Sequence, residues 1–192
     1  MTFLDIIVNS YIAQIRGPYL TEYMSVLSAF FDVSILSILA TILIAVLIKI
    51  IRGKKYAGLF LGSIYVSALL AYLLKLFFNI PRPTNALVLA FGPSFPSYHA
   101  TVATVFFVML IYIFDPVILP GGHPYHRVDD YLSEFWRILF NIVCVFMIFL
   151  VAFSRVYLGV HWLSDVSFGI LLGCLLSYLS ILIFRKMNQH VV

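Results

Sequence analysis

YAGLFLGSIYVSALLAYLLKLFFNIPRPT, residues 56–84, decides how the rest of the chain is read. From Tyr56 to Phe78 it is a mostly apolar run long enough to cross a hydrocarbon core, which takes about 20 residues of helix. It lacks the period-two alternation of a membrane β-barrel strand, so it reads as a spanning helix. Near its end stands Lys75, and Arg82-Pro83 follows seven positions later. Taken singly, each cation reads as a snorkelling or boundary residue. Their meaning depends on the polar residues that gather with them.

The whole chain repeats this character. Of its 192 residues, 63% are hydrophobic and 10% charged, against about 25% charged in an ordinary soluble domain. The sequence predicts an all-α integral membrane protein, a bundle of five transmembrane helices over residues 33–51, 56–78, 98–114, 136–153 and 162–184. Before them, Leu4, Ile7, Val8, Tyr11, Ile12 and Ile15 follow one-face helical spacing up to the Gly17-Pro18 break, and a second amphipathic stretch follows. Residues 1–32 therefore read as interfacial helices and residues 33–186 as the bundle, within a single domain. Asp5 interrupts the N-terminal run and no basic segment precedes it, so no cleaved signal peptide is expected. Cys144 and Cys174 fall in different apolar runs without metal-ligand spacing and read as packing residues.

Five crossings divide the connections between two faces. One face carries the N-terminal segment and residues 79–97 and 154–161, with Arg16, Lys75, Arg82 and Arg155; the other carries Arg52, Lys54, Lys55, Arg127, Arg185 and Lys186, with Lys49 and Arg137 at span ends. The excess of Lys and Arg marks the second face as cytoplasmic, so residues 79–97 and 154–161 look to the periplasm, the cell exterior or a lumen.

On that outward face the polar residues accumulate. His161 and Asp165 are four apart, so on a helix they share a face, and the carboxylate can fix the tautomer of the imidazole. The plain alternative is a buried pair that only holds helices together. Lys75, Arg82 and Arg155 put three positive charges near a single carboxylate, an excess that calls for an anion. In FPSYH, residues 95–99, Ser97 stands at an N-cap position after Pro96, and a helix N-terminus with free amides is a ready seat for phosphate. His99 falls in that first turn, where it can serve as a titratable proton donor.

Lys75 with Arg82-Pro83, Pro96-Ser97 with His99, and Ser154-Arg155 with His161 and Asp165 form three blocks. In that order and spacing they resemble the type 2 phosphatidic acid phosphatase superfamily, which shares its site with bacterial acid phosphatases and vanadium haloperoxidases. The resemblance covers about residues 20–185. It implies metal-independent phosphoryl transfer through a phosphohistidine, with no cofactor. His161 would be the nucleophile, Asp165 its orienting partner and His99 the general acid. Lys75, Arg82, Ser97, the Tyr98 amide and Arg155 would bind the phosphate oxygens. Two departures stand out: Tyr98 occupies a position where the family usually has Gly, and the family's six-span core lacks its first span here. The chain is then either a short form or the phosphatase portion of a longer polypeptide.

The expected function is that of a membrane lipid phosphatase acting on undecaprenyl diphosphate, phosphatidylglycerol phosphate or phosphatidic acid. One alternative is a lipid phosphotransferase using the same phosphohistidine; another is a non-enzymatic transporter or assembly subunit with a vestigial anion site. Expected partners are the lipid substrate and the bilayer, not nucleic acid, with a homodimer or an N-terminal partner domain left open. GGHPYHRVDD, residues 121–130, reads as a solvated loop on the opposite face, a metal site being the weaker reading. Gly169 and Gly173 make a GxxxG pattern that fits packing inside the bundle or a dimer.

Overall fold

The computed structural model describes residues 2–32, 34–115 and 130–189. Seven helices make up most of them, in the order α1 (Phe3–Gln14), α2 (Pro18–Ala29), α3 (Ile35–Arg52), α4 (Lys54–Phe78), α5 (Tyr98–Phe114), α6 (Asp130–Tyr157) and α7 (Leu163–Gln189), with no strand among the described residues. The protein is an all-helical, multi-pass membrane protein. Four helices, α3, α4, α6 and α7, are long and apolar enough to cross a bilayer, whereas α5 has 17 residues. At 1.5 Å per residue α5 spans about 25 Å, shorter than a hydrocarbon core of about 30 Å.

α5 is the centre of the bundle. It packs against α4, α6 and α7, and most of its residues are buried, including His99, Thr101 and Thr104. Thr101 and Thr104 return their hydroxyls to the carbonyls of Ser97 and Ala100, which satisfies them without an outside partner. α3 packs chiefly against α4 and leaves Ile35, Leu36, Leu43 and Ile50 exposed. In a membrane protein such a face meets lipid, so its exposure is a solvation statement and not a defect.

The GxxxG pattern of α7 packs inside the chain. A Cβ at Gly169 would lie 2.9 Å from the Ser97 carbonyl oxygen, and one at Gly173 would lie 2.6 Å from Thr104 Cβ and 2.8 Å from the Thr101 carbonyl oxygen. The two glycines therefore let α7 lie directly on α5, which settles the choice between bundle and dimer for this pattern. Gly173→Leu is expected to push α7 off α5 and destabilise the protein by at least about 1–3 kcal/mol, the usual cost of overpacking a tight contact. A thermal melt in detergent would read it, and an unchanged midpoint would remove Gly173 from the interface.

Helix ends depart from the sequence reading in an instructive way. α6 continues to Tyr157, so Ser154 and Arg155 sit in its last turns and not in a connecting loop. An apolar run marks where a helix meets hydrocarbon, while the backbone hydrogen bonds continue past it. α1 and α2 are helical as read, but Asp5 proves to be part of the packing. It caps its own helix with Thr2, and its Oδ1 and Oδ2 accept from the Ser164 amide at 2.8 Å and the Ser164 hydroxyl at 2.9 Å. Burial works to raise the Asp5 carboxyl, yet the hydrogen bonds from Thr2 and Ser164 outweigh it and hold the group below the usual carboxylate range. The first helix is thereby tied to the start of α7.

Candidate active site

The C-terminal end of α4, the N-terminus of α5, the C-terminal end of α6 and the N-terminus of α7 lie at one end of the bundle, because consecutive long helices alternate in direction. That end collects Lys75, Ser97, Tyr98, His99, Arg155, His161 and Asp165, and the connection 79–97 adds Arg82. The three sequence blocks, far apart in the chain, are therefore brought together.

His161 precedes α7 instead of riding on it, since the helix starts at Leu163. The shared helical face expected from the spacing is corrected on this point. The contact forms by capping: Trp162 is the residue before the helix, and Asp165, three positions on, reaches back to accept the Trp162 amide at 2.8 Å. The same Oδ2 lies 3.3 Å from His161 Nδ1. Both side chains are about 1% exposed. A carboxylate on Nδ1 selects the tautomer with its proton there, which leaves the lone pair on Nε2. Burial, then the Lys75, Arg155 and Arg82 cations, hold the His161 imidazole well below the usual histidine range, so it is neutral near pH 7.

Nε2 faces Arg82, whose Nη1 is 3.4 Å away and also donates to the Val160 carbonyl at 2.6 Å. Arg82 Nε and Nη2 donate to the carbonyls of Gly92 and Phe91 at 2.9 and 3.2 Å. Lys75 Nζ donates to Pro93 and Ser94 carbonyls at 2.8 and 2.9 Å. The irregular connection 79–97 thus satisfies several of its carbonyls with two cations, which are themselves fixed by neutral oxygens. Trp162 Nε1 adds a bond to the Pro81 carbonyl at 2.9 Å, and the Ser97 amide donates to the Asp165 carbonyl at 3.1 Å. These bonds lock the connection and the start of α5 to the start of α7.

Ser97 is the N-cap of α5, fully buried, with its oxygen accepting from the Ala100 amide at 3.4 Å. Its oxygen is therefore engaged, while the amides of Tyr98 and His99 remain at the open end of the helix. Arg155 donates to Ser28 through Nη1, and its buried Nε has no hydrogen-bond partner among the described residues. Such an orphaned donor among cations fits a site built to receive an anion.

Two contacts were invisible in the sequence. His99 Nε2 lies 2.5 Å from Asp32 Oδ1, and Ser28, one turn earlier, meets Arg155. Ser28 sits in the last turn of α2 and Asp32 in the turn that follows it, in a segment read only as interfacial, and nothing in their local spacing points to partners 127 and 67 residues away. Residues 121–129 lie outside the described residues; among those described, no group of three or more His, Cys, Asp or Glu is gathered to hold a metal ion.

A cluster of three cations and two histidines at a helix N-terminus, embedded in a bundle of membrane helices, defines a membrane enzyme for phosphoryl chemistry. The PAP2 superfamily model matches residues 56–189, and the chain belongs to that superfamily. It is a hydrolase of phosphoric esters of the lipid phosphatase type. A similar solved structure is the first transmembrane PAP2 type phosphatidylglycerolphosphate phosphatase from Bacillus subtilis, with 30% identity and a TM-score of 0.78 over 95% of this chain and 85% of that one. A second is Aquifex aeolicus LpxE, with 23% identity and a TM-score of 0.68 over 94% of this chain and 99% of that one, a likeness of fold. No curated protein sequence matches the chain.

Proposed function

We propose that the protein hydrolyses the phosphate monoester or diphosphate head of a membrane lipid through a phosphohistidine on His161. The observation that carries this reading is the arrangement about the His161 ring: Asp165 on Nδ1, and Arg82 at 3.4 Å from Nε2. The Nε2 lone pair attacks phosphorus as the bond to the lipid oxygen breaks, and His99 gives that oxygen a proton. Lys75, Arg82, Arg155, the Ser97 hydroxyl and the Tyr98 amide stabilise the charge on the phosphoryl oxygens. Water then attacks phosphorus, the P–N bond breaks, His99 takes up the proton, and inorganic phosphate leaves with His161 again neutral. Phosphoryl transfer of this kind depends on positioning and charge neutralisation more than on new covalent chemistry.

α5 counts as the fifth crossing in this reading, the Lys- and Arg-rich face is cytoplasmic, and the site opens on the extracytoplasmic or luminal side. α1 and α2 lie along that interface. Phosphatidylglycerol phosphate is the first substrate to try, given the likeness to the Bacillus subtilis enzyme; undecaprenyl diphosphate and phosphatidic acid share the required head chemistry. The assay is phosphate release from these lipids by the purified protein in detergent with EDTA present, and His161→Ala as the blank. Release that persists in the blank would sink the reading.

A place for the tail is at hand. A cavity of about 390 Å³ runs between α3, α4 and α5, with Asp32 and Tyr98 toward the site and Leu61, Ala68, Val102 and Phe106 deeper. Its depth is apolar and unspecific, as suits a hydrocarbon chain. Tyr98, in place of the family's usual Gly, forms part of this wall. Ala68→Trp is expected to raise KM for long-tailed substrates roughly tenfold, the equivalent of about two displaced methylenes at ~0.8 kcal/mol each. Short-tailed analogues should keep their KM; an equal rise for both would move the tail elsewhere.

A further inference from the structure

The His99 ring is held by a residue from outside the three sequence blocks. Its Nε2 meets Asp32 Oδ1 at 2.5 Å, with the histidine side chain 9% and the aspartate side chain 50% exposed. Asp32 is itself fixed. Its amide donates to the Ala29 carbonyl at 3.2 Å, and its carbonyl accepts from the Ser34 amide at 2.8 Å and from the Ser37 hydroxyl. The turn between α2 and α3 is thus braced to present this carboxylate, and it does so at the mouth of the cavity described above. A carboxylate on the ring of a proton donor has a chemical consequence.

We infer that Asp32 is a positioning residue for the proton donor: its carboxylate accepts from Nε2 of His99, fixes the orientation of the ring and leaves Nδ1 to deliver its proton to the departing lipid oxygen. The inference rests on the reading of His99 as general acid. It makes His99 the counterpart of His161, each ring oriented by one aspartate but through opposite nitrogens. As the P–O bond breaks, its electron pair stays on the lipid oxygen and the Nδ1 proton joins it; the positive charge lost from the ring is one that Asp32 had stabilised. The end of α2 then serves both halves of the reaction, since Ser28 meets Arg155 in the same turn region.

The charged and titratable groups around this pair are Lys75 of α4, Arg155 of α6 and His161 about His99, and Arg155 and Tyr98 about Asp32. The hydrogen bond with His99 holds the Asp32 carboxyl below the usual carboxylate range, so it is ionised near pH 7. Removing that negative charge makes the protonated ring less favourable, and the alkaline limb of the kcat profile then moves to lower pH.

The test uses the full chain in detergent micelles with two substrates of matched tail, a long-chain alkyl phosphate and an alkyl-nitrophenyl phosphate. The alkoxide is a poor leaving group and needs the proton; the nitrophenolate does not. Asp32→Asn is expected to lower kcat on the alkyl phosphate about 10–100-fold, a fraction of the whole effect of a general acid, with KM little changed. The nitrophenyl substrate should keep its rate within about threefold by the same argument, the alkaline limb should move down, and Asp32→Glu should recover part of the loss. Equal losses on both substrates, no loss on either, or a rise in kcat/KM would overturn the inference. His99→Ala on the same pair of substrates separates the two levels. If His99→Ala shows no preference for the nitrophenyl substrate, the donor assignment itself falls; if it does and Asp32→Asn does not, only the role of Asp32 falls.

Discussion

Replacing His161 with alanine is expected to lower phosphate release by about 10⁴–10⁶-fold, to the background of lipid phosphate in detergent. Removal of a covalent nucleophile costs on that scale because the remaining charges bind the substrate without offering a bond to phosphorus. The cations would still hold the lipid, so binding should survive while turnover is lost. The fold should survive as well, because Asp165 keeps the Trp162 amide and Arg82 keeps three carbonyls when the ring is gone. Two measurements check it. The first is steady-state phosphate release with a chelator present. The second is a rapid alkaline quench of the wild type with labelled substrate, which should trap an acid-labile phosphoramidate that His161→Ala does not form. Near-normal hydrolysis by the variant would mean that phosphorus is attacked by some other group.

Asp165→Asn should cost about 10²–10³-fold in kcat with KM nearly unchanged, the scale of losing one electrostatic stabiliser of the transition state. Asp165 is fully buried, and one of its oxygens serves both the Trp162 amide and His161 Nδ1. An asparagine that keeps the Trp162 amide puts its one carbonyl oxygen where Oδ2 was, so it also keeps His161 Nδ1 and leaves the lone pair on Nε2. What is lost is the negative charge that stabilises the ring as it turns positive on attacking phosphorus. A loss below tenfold, in protein with an unchanged melting midpoint, would mean that the Asp165 charge does not serve the reaction.

The residues proposed to carry the chemistry stand out in the sequence because an apolar chain makes polar exceptions conspicuous. Lys75 at the end of a 25-residue helix, and Asp165 in an otherwise hydrophobic stretch, stand out against leucine and valine. Their common face followed from counting crossings. The helix ends were less legible, since hydrophobicity stops at the membrane boundary and hydrogen bonding does not; α6 carries Arg155 in its last turn for this reason. The route by which His161 and Asp165 meet was also misread. Four residues apart fits a helix face and a capping turn equally well, and only the start of α7 at Leu163 tells them apart.

Asp5, Ser28 and Asp32 fall in the segment read as interfacial helices, which is all that local spacing permits. Their partners, Ser164, Arg155 and His99, lie more than 60 residues away. No helical or strand period reaches that far.

The sequence by itself determined the membrane class of this protein, the approximate spans and the set of cations and histidines at one end of the bundle. Each of these follows from composition and order along one helix at a time, and the bilayer enforces it. Only the tertiary structure decided that GxxxG in α7 serves α5 and not a second copy, and that the connection 79–97 holds Arg82 and Lys75 by its carbonyls. It also decided that the end of α2 reaches the His99 ring. These depend on which helix faces which, and that is set by steric fit and by the satisfaction of buried polar groups across the whole bundle.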